Sequence, residues 1–135
     1  MQAIDLAGLR VLVVGAAREG TAASAYLMRH GACVRLADAR PLDEHRQDLQ
    51  QLQAAGVRLE GAVVEPSLDD LDLMIVSPGV PPTAPVVQAA RARGLALSSE
   101  PRLFVQLFRR PVVGVTGSSG KTTTTSLLAE MLKAA

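Results

Sequence analysis

The chain has 135 residues, 48% of them apolar and 2% aromatic, which gives material for one domain and the start of another, with a core of Ala, Val and Leu. Fourteen basic residues against 13 acidic ones leave a net charge of +1, and no Lys/Arg cluster interleaves with aromatics, which speaks against a nucleic-acid binder. No apolar stretch approaches the ~20 residues that span a bilayer, and Asp5 ahead of the short run Val11 to Val14 is wrong for a secretory signal, so a soluble, cytoplasmic protein is expected.

Leu9 to Val14 reads as a buried strand ending at Gly15. Gly15-Ala-Ala-Arg-Glu-Gly20 is a turn and Thr21 to His30 an Ala-rich helix, capped by Gly31 with Arg29 and His30 in its last turn. Ala32 to Ala37 is a second strand ending at Asp38, which completes one βαβ unit with a right-handed crossover. The lone Cys33 excludes an internal disulfide and, lying in that strand, is expected to be buried.

Leu42 to Ala55 has Leu42, Leu49 and Leu52 on one helical face and Gly56 as its stop. Val57 to Leu59 is a short edge strand and Leu73 to Val76 a buried one running into Ser77-Pro-Gly79. Thr83 is expected to cap a helix with Pro85 in its first turn, running to Arg93 and Gly94. Leu95 to Leu97 makes a fifth strand. Strands alternating with helices predict an α/β fold, a Rossmann-like, doubly wound and mostly parallel sheet of about five strands. A boundary is expected near residue 98, with a short linking helix from Pro101 to Arg109.

Beyond it lies the stretch with the most chemistry. Val112 to Val115 reads as a strand, Thr116 to Gly120 as a glycine-rich loop, then Lys121-Thr122 opens a helix with Leu127, Leu128, Met131 and Leu132 on one face. That order cradles nucleotide phosphates: loop N–H groups and the helix N-terminus meet the negative charge, the lysine neutralises it, and the threonine reaches a magnesium ion. Val115 stands where the common pattern has a glycine, so a strand-to-helix turn with an incidental lysine is the alternative.

The first turn resembles a dinucleotide fingerprint with Ala17 in place of the middle glycine, which disfavours ordinary NAD binding. Asp38 lies near the spacing at which an acidic residue holds a ribose hydroxyl; a turn kept for packing alone is the other reading. Ser77-Pro-Gly79 sits at the carboxyl edge of the sheet, where such folds bind ligands, and is otherwise a plain turn. Arg40 meets a phosphate or is merely solvated. His30 and His45 have no metal-ligand partners in sequence, and surface or capping roles are expected for both.

Together these stretches resemble the Mur ligases, ATP-dependent amide ligases of peptidoglycan precursor synthesis. The resemblance covers essentially the whole chain and is strongest in Val113-Gly-Val-Thr-Gly-Ser-Ser-Gly-Lys-Thr-Thr-Thr124, where Val115 becomes an expected variant. Leu9-Arg-Val-Leu-Val-Val-Gly15, Leu36-Ala-Asp-Ala-Arg40, Ile75-Val-Ser-Pro-Gly-Val80 and Ser99-Glu-Pro-Arg-Leu-Phe104 fall in the family's order. Asp-x-Arg and Ser-Pro-Gly look most like the member that adds D-glutamate; Lys121-Thr-Thr-Thr-Thr-Ser126 is also similar to the L-alanine-adding member. The first turn lacks the family's usual second glycine, and Arg102 stands where an acidic residue is common.

The resemblance implies the front of a monomeric three-domain enzyme: residues 1–98 holding the UDP-sugar and 99–135 starting the ATPase domain. A carboxylate of UDP-N-acetylmuramoyl-L-alanine becomes an acyl phosphate at the expense of ATP and Mg2+, and the amine of D-glutamate attacks it. Lys121 is then the catalytic cation, Thr122 the metal ligand, and Gly117, Ser118, Ser119, Gly120 and Thr123 supply N–H groups to ATP. Arg18 and Glu19 line the uridine-diphosphate pocket, Asp38, Ala39 and Arg40 address its uracil-ribose end, and Ser77 the region near the diphosphate. The 135 residues alone are expected to be inactive as a ligase, and segment 111–135, without its native sheet, to be mobile or to pack on the first domain or a neighbouring chain. A stand-alone dinucleotide-binding module and a small phosphotransferase whose own sheet is incomplete here remain the competing readings.

Overall fold

In the computed structural model, which describes residues 5–108 and 110–134, the first strand is the centre of the architecture. β1 (Arg10–Val14) pairs in parallel with β2 (Cys33–Ala37) on one side and β4 (Leu73–Val76) on the other. β3 (Arg58–Glu60) extends the sheet beyond β2 and β5 (Ala96–Ser98) beyond β4, also in parallel, giving the order β3-β2-β1-β4-β5. This is the expected doubly wound sheet: the chain steps outward twice from β1, then returns to β1's free side and steps outward again.

The period-two alternation of β1 explains why both faces are covered. Val11 and Val13 point to one face, where they meet Leu27 of α1 (Arg18–Arg29) and Leu49 and Leu52 of α2 (Gln47–Ala54). Leu12 and Val14 point to the other, against Val86, Val87 and Ala90 of α3 (Pro85–Ala92). Met74 and Ile75 of β4 divide in the same way. With Leu, Val and Ile fully buried on both faces at ~1.5–3 kcal/mol each, a sheet with hardly any aromatic residue still closes a core. α4 (Glu100–Leu107) follows β5 and lies on the α1 face, with Leu103 buried in the first core and Leu107 packed against it.

Several local expectations are corrected. α1 begins at Arg18 rather than Thr21, because Thr21 already donates its N–H to the Ala17 carbonyl. α2 loses the turn expected from Leu42: the Asp43 carboxylate accepts the His45 N–H at 2.9 Å and its carbonyl the Arg46 N–H, a local turn that competes with the helix. Thr83 caps nothing; Ala84 is the N-cap of α3, without a side-chain bond, and Pro85 supplies the preset first turn. Cys33 is exposed, because it is the first residue of β2 and its side chain lies at the sheet's amino edge.

The largest correction falls on residues 112–115, which form no strand, and Val112 and Val113 are exposed. A strand needs a neighbour to satisfy its backbone, and none is paired to it among the described residues. The turn at 117–120 forms nonetheless, with Gly117 at φ +153° and Gly120 at φ +75°, and runs into α5 (Lys121–Ala134). No residue of α5 is buried; its apolar stripe of Leu127, Met131 and Leu132 is uncovered rather than packed on the first domain. Arg109, where the linking helix was expected to end, and Ala135 lie outside the described residues.

Candidate functional site

The topology turns back between β1 and β4, and there the loops after the two strands part. In open α/β sheets ligands bind in that crevice, outside the carboxyl ends of the strands. Here it is a cavity of about 450 Å3 bounded by Gly15, Ala17 and Glu19 of the first turn, Asp38, Ala39 and Arg40 after β2, and Ser77, Gly79 and Val80 after β4.

The first turn is held from three directions. The buried Asp38 carboxylate accepts the Ala16 N–H at 2.8 Å. Arg46 donates to the Ala16 carbonyl at 2.7 Å and is itself paired with Asp48 at 2.6 Å. Ser77 Oγ lies 3.2 Å from the Gly15 carbonyl oxygen. Two glycines allow this closeness. A Cβ on Gly20 would fall 1.8 Å from the Gly15 oxygen, and one on Gly15, whose φ is +102°, would lie 2.8 Å from the Ser77 Cβ.

So braced, the turn presents the N-terminus of α1. No side chain caps it, and the N–H groups of Arg18, Glu19 and Gly20 precede the first intrahelical bond, made by Thr21 to Ala17. Such a terminus attracts an anion through its free donors and the helix dipole.

Asp38 carries the electrostatics of the far wall. Burial pushes its carboxyl up, but the N–H groups of Ala16 and Arg40 and the Arg40 guanidinium outweigh that and hold it below the usual carboxylate range. Arg40 Nε reaches Asp38 at 3.3 Å while its side chain stays exposed at the cavity rim. The Asp38 oxygens are thus engaged with the turn and with Arg40, and the carboxylate positions the site as much as it lines it.

Of the residues singled out in sequence, the structure brings Glu19, Asp38, Ala39, Arg40 and Ser77 to one cavity. Arg18 is not among them; it lies on the outer side of α1, in the groove with Asp48, Gln51 and Leu52 of α2. Gly117, Ser118, Ser119, Gly120, Lys121, Thr122 and Thr123 form a separate exposed turn and helix start, where the Lys121 ammonium folds back onto the Gly117 carbonyl. His30 has the capping role expected of it, with Nδ1 2.8 Å from the Tyr26 carbonyl oxygen. Sequence reading missed Arg46 and Glu100. Arg46 carried no signal beyond a charge in a helical run. Glu100 entered only as part of the stretch Ser99–Phe104, just ahead of the expected linking helix and with no role of its own.

Comparison with known proteins agrees with this frame. A family model described as Mur ligase MurD-like, N-terminal domain, matches residues 9–99. UDP-N-acetylmuramoylalanine–D-glutamate ligase of Pelotomaculum thermopropionicum is 44% identical over 130 residues, 96% of this chain and 29% of that protein. The ligase of the same name from Symbiobacterium thermophilum is 44% identical over 129 residues, 93% and 28% of the two chains. The chain therefore spans less than a third of the length of these curated relatives. Among solved structures, a murein peptide ligase from Psychrobacter arcticus superposes with a TM-score of 0.64 at 27% identity, covering 93% of this chain and 26% of that one. A domain match over residues 9–99, on a sheet ordered β3-β2-β1-β4-β5 with its crevice at the β1–β4 parting, leaves one assignment: the chain belongs to the Mur ligases, in the family of MurD-like N-terminal domains.

Proposed function

We propose that this chain is the UDP-sugar-binding part of an ATP-dependent ligase that joins D-glutamate to UDP-N-acetylmuramoyl-L-alanine. The observation that carries the reading is the cavity at the β1–β4 parting, where an uncapped helix N-terminus faces Asp38, Ala39 and Arg40 across about 450 Å3. The N–H groups of Glu19 and Gly20 take the diphosphate, which the α1 dipole favours. Arg40 adds a cation at the rim, and the Asp38–Arg40 segment meets the ribose and uracil. Ala17, which adds a methyl group where the dinucleotide fingerprint has glycine, works against the closer approach that NAD requires.

The division into a UDP-sugar part, 1–98, and the beginning of an ATPase part, 99–135, belongs to the same proposal, with α4 as the connection resting on the first part. The turn at Gly117–Gly120 fits a phosphate group: two glycines in conformations open to little else, a lysine ammonium over the turn, and a helix N-terminus behind it. Lys121 and the N–H groups of 117–123 would hold ATP, and Thr122 would offer its hydroxyl to Mg2+. Among the described residues no group of three or more His, Cys, Asp and Glu could hold a metal, so phosphate oxygens and residues elsewhere in the enzyme supply its remaining ligands. ATP provides the phosphoryl group that activates the substrate carboxylate; the role of this chain's residues is to place that end and offset its charge. Among the described residues no helix is long and apolar enough to cross a membrane; a cytoplasmic location and a monomeric state belong to the same proposal.

Calorimetric titration of the 135-residue chain with UDP-N-acetylmuramoyl-L-alanine and with NADH tests this. Saturable binding of the first and none of the second is expected. Saturable NADH binding with no UDP-sugar binding would make the chain a dinucleotide module instead. Ligase turnover by the 135 residues alone would overturn the reading that they form only part of the catalytic unit.

A further inference from the structure

Ser77 lines the cavity, but its hydroxyl is engaged by protein groups. The residue is 3% exposed, and Oγ lies 2.9 Å from Glu100 Oε1 and 3.2 Å from the Gly15 carbonyl oxygen. A serine has one proton to donate. Both neighbours are acceptors, so the single proton is shared between them in a three-centre bond and none is left for a phosphate oxygen. Ser77 therefore serves the site through the turn it touches rather than through the ligand.

Glu100 has features that a surface acid at a helix start does not need. Its Oε1 meets Ser77 across 23 residues of sequence, while its Oε2 is buried without a hydrogen-bond partner among the described residues. A buried polar atom left unpaired is costly, and one in a native fold calls for an explanation. The side chain is kept in place because α4 cannot swing: Leu103, one turn on, is 4% exposed in the first core. The arrangement runs Leu103, Glu100, Ser77, Gly15, with Gly15 so close to Ser77 that no side chain would fit between them.

We infer that Glu100 is a positioning residue for the nucleotide turn: it fixes the Ser77 side chain, which shares its proton with the Gly15 carbonyl and lies close against Gly15, and so keeps the N–H groups at the start of α1 aimed into the cavity. This rests on the UDP-sugar reading for its ligand but not for its geometry. Glu100 lies one residue past the family-model match at 9–99, so the connecting helix adds to a turn otherwise held from within the matched region.

The test uses the 135-residue chain with Glu100→Leu, Glu100→Gln, Ser77→Ala and the Ser77→Ala/Glu100→Leu double variant. UDP affinity is measured by calorimetry and amide hydrogen exchange by NMR. Glu100→Leu is expected to weaken UDP binding about tenfold and to speed exchange at Ala16 and Thr21, whose N–H groups bond Asp38 and the Ala17 carbonyl, while Leu12 and Met74 keep their protection. Glu100→Gln retains an acceptor for Ser77 and is expected to stay within about threefold of the parent. The double variant should bind no more weakly than Ser77→Ala, since both act through one contact. Unchanged turn exchange in Glu100→Leu, or equal loss of protection in turn and sheet, overturns the inference. If the unaltered chain binds no UDP, the nucleotide reading fails, and selective loosening of the turn still decides for or against the brace.

Discussion

The Asp38 carboxylate and the Ala16 amide, 22 residues apart in sequence, meet at 2.8 Å and tie the end of β2 to the turn after β1. Asp38→Ala strands a buried N–H, and a loss of about 1–3 kcal/mol in urea denaturation is expected. Because the folded carboxyl titrates below its unfolded value near ~3.9, its contribution is present above about pH 4 and is lost as pH falls through the folded value. The acid branch of the stability curve should thus be shallower in Asp38→Ala than in the parent. An unchanged acid slope would show that the tie carries no charge-dependent stability.

Gly20 has no room for a side chain. With the Gly15 oxygen 1.8 Å from its would-be Cβ, Gly20→Ala must push the turn away from α1. A destabilisation of about 3 kcal/mol or more is expected, read as a lower denaturation midpoint. A cost under about 0.5 kcal/mol, the size of an ordinary surface change, would contradict this packing.

Arg40 separates binding from stability. Its pair with Asp38 is solvent-exposed on the arginine side, and such pairs contribute little. Arg40→Ala should leave the thermal midpoint almost unchanged and weaken UDP-sugar binding about three- to tenfold, more at low salt than at high. Equal affinity at both salt concentrations would remove Arg40 from the site.

The uncovered helix offers a paired contrast. Leu36, fully buried in the first core, should cost about 2–5 kcal/mol on truncation to Ala. Leu127 on α5 is 62% exposed, and Leu127→Ala should change stability by less than about 0.5 kcal/mol. A large effect at Leu127 would mean that α5 packs on something in solution.

Cys33 is exposed at the edge of the sheet. A thiol reagent such as DTNB is expected to titrate one thiol in the native chain without denaturant, at a rate close to that in urea. Protection until unfolding would restore the buried thiol expected from sequence.

How far the fold could be read in advance depended on whether a residue's environment is local. Leu73–Val76 agrees residue for residue because an unbroken apolar run between turns has no other way to bury itself. The doubly wound, parallel character of the sheet followed from alternating strands and helices, while its order came only with the structure. Cys33 and Val112–Val115 went astray because a strand-like run does not supply its own cover: Cys33 is paired but lies at the sheet's amino edge, and 112–115 has no strand paired to it among the described residues. The Asp43 turn displaced the start of α2 by local hydrogen bonding that a leucine spacing does not register. In the site, the residues that line the cavity after strand ends were legible as motifs. Arg46 and Glu100 were not, because they act on backbone atoms of a turn far away in sequence.

The central position of β1 has a consequence for how the protein is made. β2 reaches β1 after about one helix of chain, but β4 pairs Leu73 with Val11 only after about 60 further residues have followed β1. Until then β1 carries an open edge of Val and Leu, the kind of template that invites pairing with another nascent chain. Residues 61–72, which carry the chain from one side of β1 to the other, thus set the interval during which the emerging protein depends on being kept from its neighbours.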